Sequence, residues 1–500
     1  VTGEATGLGQ LALGQRADGP LLLSARWVIH DSPQGRRLIE HGEVVITDGQ
    51  VSFVGRDYPG EVARRVDLGM SLISPGLIDL DALSDLDTTI LGIDHQPGWA
   101  KGRVWPRSYV ERGPYEMYSP GELAFQKRFA FAQLLQSGIT TAAPIASLFY
   151  RQWGESVAEF DAAVDAAADL GLRIYLSPAY RAGGMVLEAP GEMRPVFDEA
   201  RGLQGLEDAV AFIRRHDGSQ GGLVRGLLAP DRVETCTGEL LRRTFAAAEE
   251  LDCPVRLHMA QGQMELDTVR ALHGCTAPHW LAGMGLLGPR LIAPHATCAT
   301  TEDLALYAEN GVSIVHCPLV SGRHGAMLNS FGELRGMGIN IAMGTDTAPP
   351  DMLLNLLVGL IGAHVKGPQH QTPTRDLWDA ATIGGGDALG RPDLGRLRAG
   401  GPADIAVFAL DDAIMTPAID PITTLVAGGS GKVTRAVFVD GRLSMRRIAG
   451  QAEVAGLDLP DAQARAQAQF DGLVAKYPER SWQHPPLSDL FPPSYPLESS

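Results

Sequence analysis

Seven polar residues stand where apolar runs of this sequence stop. "SPGLIDLD" contains Asp79 and ends in Asp81, "LLAP" is followed by Asp231, and "PVRL" by His258. "LIAP" is followed by His295, "SIV" by His316 and "IAMGT" by Asp346. Carboxylate and imidazole together ligate zinc, iron or manganese, and the same groups carry protons in general acid–base catalysis. Each residue alone has a plainer reading. A histidine ending a buried strand is more often a hydrogen-bonded packing residue than a ligand. An aspartate placed like Asp346 is commonly a helix N-cap, and Asp79 can simply satisfy backbone donors of its loop. Recurrence at equivalent positions argues for a site, provided the strands run parallel and end on one face.

The surrounding elements supply that condition. Short apolar runs alternate with Ala- and Leu-rich helical stretches, as in "GITTAAPI", "SVAEFDAAVDAAADLG" and "LRIYLSPAY". So many strand–helix repeats predict a parallel sheet closed into a (β/α)8 TIM barrel, whose functional side chains sit at the C-terminal strand ends. Residues 71–384 are assigned to it. Thr300 before "TEDLALYAEN" reads as a helix N-cap, and Gly311 as the stop. Outside the barrel the texture is β. Asp48-Gly49 between "EVVIT" and "VSFVG" predicts a hairpin, and "VTRAVFVDGRLSMRR" predicts a second. Segments 21–70 and 385–450 are expected to form one small discontinuous β-sandwich domain. Residues 1–20 read as a loose arm, and 451–500 as a C-terminal helix with a proline-rich tail.

Composition narrows the partners. The formal net charge of −17 disfavours nucleic acid and an anionic membrane surface, and leaves a small-molecule substrate open. Five cysteines at wide spacings, with no Cys-x-x-Cys, argue against a disulfide framework or a zinc knuckle. With no transmembrane run and no leader pattern, a cytoplasmic enzyme is expected, with a homodimer as its assembly. The stretch 95–120, rich in Trp and Tyr, would follow the first barrel strand. It reads equally as a lid over the mouth, with Trp105 against a ring-bearing substrate, or as a subunit contact. Met259 and Met343 read as core.

Over roughly residues 21–450 the chain resembles the amidohydrolase superfamily, in its chlorotriazine hydrolase and cytosine deaminase-like branch. The pieces that carry the resemblance are "ISPGLIDLD", "GITT", "LAPDRVETCTGELLRRTFAAAEELDCPVRLHMAQ", "LIAPHATCATTEDL", "VHCPLVSG", "MGTDTAPPDML" and "DLGRLRAGGPADIAVF". The resemblance implies one divalent metal, zinc before iron or manganese. His258 takes the strand-five metal-histidine position, and His295 the strand-six position near metal or attacking water. Asp346 takes the strand-eight position, which binds metal and accepts the proton of that water.

Departures from the family pattern are as informative. The His-x-His of strand one is Asp81-Ala82-Leu83, and leucine ligates nothing. The glutamate that shuttles protons in deaminases is Gln261, the Ala-Pro-His after strand four ends in Asp231, and a second histidine after His295 is Cys298. Asp81 is the expected replacement ligand, giving Asp81, His258, His295 and Asp346 as the metal site with Asp346 and His295 catalytic. Gln261, Asp231, His316, Cys298 and Trp105 are the candidates for substrate contact. For Cys298 and Cys317 the plainer role is a small buried hydrophobe. The expected reaction is hydrolysis of a C–N or similar bond in a cyclic or heteroaromatic molecule, with a deaminase proper disfavoured by Gln261. A metal-poor relative that binds a ligand, or a lyase or isomerase on the same barrel, stays open.

Overall fold

The structure, a computed structural model, describes residues 7–86, 104–107, 118–145, 153–189, 192–368, 371–476, 494–496 and 498. Eight parallel strands follow one another along the chain: Leu77–Ala82, Ile139–Pro144, Arg173–Leu176, Val224–Gly226, Val255–Arg256, Leu291–Pro294, Ser313–His316 and Ile341–Met343. They are called first to eighth below. The first four and the last four form two four-stranded parallel sheets. A parallel bridge between Leu228 and Val255 joins the fourth strand to the fifth. At the opposite seam Asp346 N–H donates to the Asp81 carbonyl at 2.6 Å, tying the eighth strand to the first. The result is a TIM-barrel-like α/β fold. Its strands are largely buried; every residue of Leu77–Ala82 is buried, Asp79 and Asp81 included.

Helices between the strands follow local rules that the sequence carries. Gly238–Leu251 opens on Thr237, whose hydroxyl accepts from Leu240 N–H, and buries Leu240, Leu241, Thr244 and Ala248 along one face. Thr301–Asn310 opens on a capping box between Thr300 and Asp303 and ends at Gly311 with φ 69°, as expected. No helix among the described residues is long and apolar enough to cross a membrane.

The terminal segments build one nine-stranded sheet. Ser71–Pro75 pairs antiparallel with Ile405–Ala409, which fastens the N-terminal strands to the C-terminal ones. Asp48 (φ 50°) and Gly49 (φ 85°) turn one hairpin, and Asp440 (φ 52°) and Gly441 (φ 72°) another. Two successive positive φ angles match the twist of the flanking strands. The two turns abut: a Cβ on Gly441 would lie 2.9 Å from Gly49 Cα, so glycine is required there by space as well as by φ.

Two expectations need correction. Residues 7–20 are not loose, because Leu8 and Leu11 are buried in the apolar cluster of this sheet. Strand Gln451–Val454 extends the sheet past residue 450, before the helix Leu459–Lys476.

A buried ion pair couples this sheet to the parallel strands. Arg173 of the third strand donates Nε and Nη2 to the two oxygens of Asp404 at 2.7 and 3.1 Å. Asp404 Oδ1 also accepts from Asp440 N–H at 2.8 Å, and its carbonyl from Gly76 N–H at 2.9 Å. Removing one partner strands a desolvated charge. Asp404→Ala is therefore expected to lower the unfolding free energy by about 3–5 kcal/mol. Urea unfolding followed by circular dichroism measures this; a midpoint equal to wild type would refute the coupling.

Candidate metal centre

Asp81, at the end of the first strand, is fully buried. Its Oδ1 lies 3.4 Å from His258 Nε2 and its Oδ2 lies 3.8 Å from His295 Nε2. One ligand atom from each of Asp81, His258 and His295 falls within 4.8 Å of the others. Asp346 Oδ2 adjoins this group at 3.4 Å from His295 Nε2. Four residues from the first, fifth, sixth and eighth strand ends thus meet at one place.

Local structure aims each of them. His258 Nδ1 lies 3.0 Å from the Asp231 carbonyl. A carbonyl only accepts, so Nδ1 carries a proton, and this bond turns Nε2 to the site. The backbone turns sharply where the strands stop. His295 (φ 72°), Ala296 (φ 53°), Ala260 (φ 53°) and Asp346 (φ 59°) all lie in the left-handed region. For non-glycine residues this conformation is strained, and such residues concentrate at functional sites. Gly344 is needed for space: a Cβ there would meet Asp81 Cβ at 2.7 Å and Cys317 Sγ at 2.9 Å.

Asp79 works one position lower. Its carboxylate accepts from Thr345 N–H at 3.0 Å and Thr345 Oγ1 at 2.5 Å, and from Asp81 N–H at 3.2 Å. It does satisfy backbone donors, and it binds the first strand end to the eighth, beside both Asp81 and Asp346. Burial pushes its carboxyl up to about 7 in spite of these donors. Asp81 goes the other way. Burial opposes its charge, but the facing His258, then Arg256 and His295, outweigh that and hold its carboxyl well below the usual carboxylate range.

Three arginines at the site escaped the sequence reading. Arg256, 2% exposed, donates Nη1 to the Ala143 carbonyl at 2.8 Å and stands 3.7 Å from Asp81 Oδ1. Arg181 Nη1 pairs with Asp231 Oδ2 at 3.2 Å, both side chains being buried. Arg232 Nη1 donates to Gln261 Oε1. For Arg256 a signal existed: an arginine inside the apolar run "PVRLH", two residues before a candidate ligand and so on the same face of a strand.

The candidates for substrate contact divide. Asp231 is engaged at both ends: its carbonyl lies 3.0 Å from His258 Nδ1 and its carboxylate pairs with Arg181. His316 is 2% exposed and packs 5.9 Å from the Phe331 ring; burial pushes its imidazole down to about 3, so it is neutral. Gln261 is half-buried and held by Arg232. Cys298 is half-buried, and burial pushes its thiol up, which keeps it protonated. Cys317 is buried with Sγ 3.7 Å from Asp81 Oδ2. Met259 and Met343 are core, as expected. Trp105 lies on the short strand Val104–Pro106, and its side chain falls outside the described residues, as do 87–103 and 108–117.

The donor set fits a divalent ion. One carboxylate and two imidazoles suit zinc or its neighbours. Asp81 Oδ1 is moreover a buried acceptor without a hydrogen-bond partner.

A TIM-barrel-like fold with such donors gathered at its strand ends is the architecture of a metal-binding hydrolase. Residues 73–444 match the amidohydrolase family model, and the chain belongs to that family. Among its relatives, a 5-methylthioadenosine/S-adenosylhomocysteine deaminase of Halobacterium salinarum is 27% identical over 81% of this chain and 90% of its own. A 5'-deoxyadenosine deaminase of Methanosarcina mazei is 25% identical over 88% and 95%. In structure the chain is similar to an adenosine deaminase from Xanthomonas campestris with bound zinc (TM-score 0.73, 20% identity, 90% of this chain and 98% of that one). It is equally similar to a mutant atrazine chlorohydrolase from Arthrobacter aurescens complexed with zinc and atraton (TM-score 0.73, 23% identity, 90% and 99%). The deaminase names of the sequence relatives do not support the expectation that a deaminase proper is disfavoured.

His258→Ala and Asp81→Asn are each expected to weaken zinc binding about 100-fold or more while the far-ultraviolet circular dichroism stays that of wild type, because each removes or neutralises a donor. Elemental analysis after dialysis against zinc checks this. Full zinc occupancy in both variants would remove these residues from the ligand set.

Proposed function

We propose that this chain is a metal-dependent hydrolase of a C–N bond in a heteroaromatic small molecule, and that the reaction is deamination of an adenosine-like base. The observation that carries the reading is the meeting of Asp81, His258 and His295 within 4.8 Å, with Asp346 3.4 Å from His295. The family membership and the deaminase relatives support it. In this reading the eight strands close as a (β/α)8 barrel. The terminal segments, about 21–70 and 385–450, fold as a discontinuous β-sandwich domain beside it.

A divalent ion at Asp81, His258 and His295 would supply Lewis acidity and lower the pKa of a water. The chain's own groups do the rest. Asp346, at the rim of the ligand group, takes the proton of the attacking water, and His295 beside it holds the carboxylate in place. The amine leaves with a proton that Asp346 returns. Gln261 carries no proton. Its carbonyl oxygen accepts from Arg232, and its N–H donors orient a hydrogen-bond acceptor such as a ring nitrogen.

Two observations favour a second reading. Leu83 stands at a family ligand position, and a permanent cation, Arg256, lies 3.7 Å from Asp81. A metal-poor relative that binds a ligand would have such features.

Zinc-loaded protein is expected to release ammonia from adenosine, 5'-deoxyadenosine or 5-methylthioadenosine. Asp346→Asn should lower kcat by about 10²–10⁴-fold with little change in KM. Gln261→Ala should raise KM more than it lowers kcat. Absence of ammonia from every nucleoside tested would reject the deaminase reading. A Gln261→Ala effect confined to kcat would place that residue in the transition state instead.

A further inference from the structure

Arg256 and His258 lie two residues apart and face the same side of the fifth strand. His258 reaches Asp81, and so does Arg256. The guanidinium crosses the interior from the fifth strand to the second, where Nη1 donates to Ala143 O at 2.8 Å, and it stands 3.7 Å from Asp81 Oδ1. Arg256 Nε and Asp81 Oδ1 are both buried without a hydrogen-bond partner. Each side chain is at most 2% exposed.

A guanidinium does not lose its proton in a protein, so this is a fixed positive charge beside the carboxylate of the ligand group. It acts on an incoming cation in two ways. It already neutralises Asp81, which weakens the pull of that carboxylate. It also repels a dication bound to the same carboxylate, at a buried position where salt screens little. Both effects have the same sign.

We infer that Arg256 is a built-in cation that lowers the affinity of this centre for divalent ions, so that metal is held loosely and exchanges. The inference rests on Asp81, His258 and His295 being the ligands. It also fixes the direction of an experiment: removing the charge must strengthen metal binding, whereas loss of a merely structural residue would weaken it.

Zinc affinity is measured by competition with a chromophoric chelator for full-length wild type, Arg256→Met, Arg256→Gln, Arg256→Lys and Asp81→Asn, with zinc-induced shifts in Tm as a second readout. Arg256→Met should bind zinc roughly tenfold more tightly or better, since a unit charge at this distance has been removed. Arg256→Gln keeps an amide donor for Ala143 O and should do the same, which guards against a methionine variant that fails to fold. Arg256→Lys should stay near wild type. Both neutral variants should gain more Tm on adding zinc than wild type, because an uncompensated Asp81 destabilises the free protein and the ion relieves it. Equal or weaker binding in both neutral variants, with Asp81→Asn still impaired, overturns the inference alone. No zinc binding by any of the five proteins overturns the ligand assignment, and the inference with it.

Discussion

A carboxylate with no access to water constrains this structure more than any other group. Left alone in a dry interior, the Asp81 anion would be so costly that it would take up a proton. It is instead surrounded by His258, His295 and Arg256, which keep it ionised. That arrangement demands accuracy, because Coulomb compensation falls off with distance while the desolvation cost does not. The neighbours are built accordingly. Gly344 leaves room for Asp81 Cβ, and Asp79 holds the first strand end to Thr345. Asp346 N–H is bonded to the Asp81 carbonyl itself.

The same logic extends one layer out. His258 is oriented by the Asp231 carbonyl, and Asp231 is in turn fixed by Arg181. A ligand held through its other ring nitrogen has one tautomer and one direction, which is what a metal site or a proton-transfer site requires. Further away, the Arg173–Asp404 pair ties the third strand to the nine-stranded sheet, and the Asp404 carbonyl holds Gly76 at the entrance to the first strand. The β sheet therefore bears on the site through the strand that carries Asp81.

This picture changes how the departures from the family pattern are understood. Leu83 leaves one ligand position empty of donors, but Asp81 is not a vestige, since buried groups on three other strand segments turn toward it. A neutral amide such as Gln261 does not carry protons, and its oxygen accepts from Arg232. Three of the substituted residues have polar partners at the site: Asp81 with His258 and Arg256, Asp231 with Arg181, and Gln261 with Arg232.

The order of strands and helices was legible in the sequence, because hydrophobic period, caps such as Thr300 and Gly311, and Asp-Gly turns are local signals. So were Asp81, His258, His295 and Asp346 as a set, since strand ends on one face of a parallel sheet converge whatever the details. Docking of Leu8 and Leu11 was not legible, as a short apolar pair carries no period. Nor were the roles of Asp231, Arg181, Arg232 and Arg256. A charged side chain in an apolar run announces that a partner exists but not which one. The partner of Arg256 is set by strands whose sequence positions lie more than a hundred residues away, and only packing brings them together. The sequence by itself determined which donors the site owns; the tertiary structure decided which charges face them, because electrostatic compensation depends on distance in space and not along the chain.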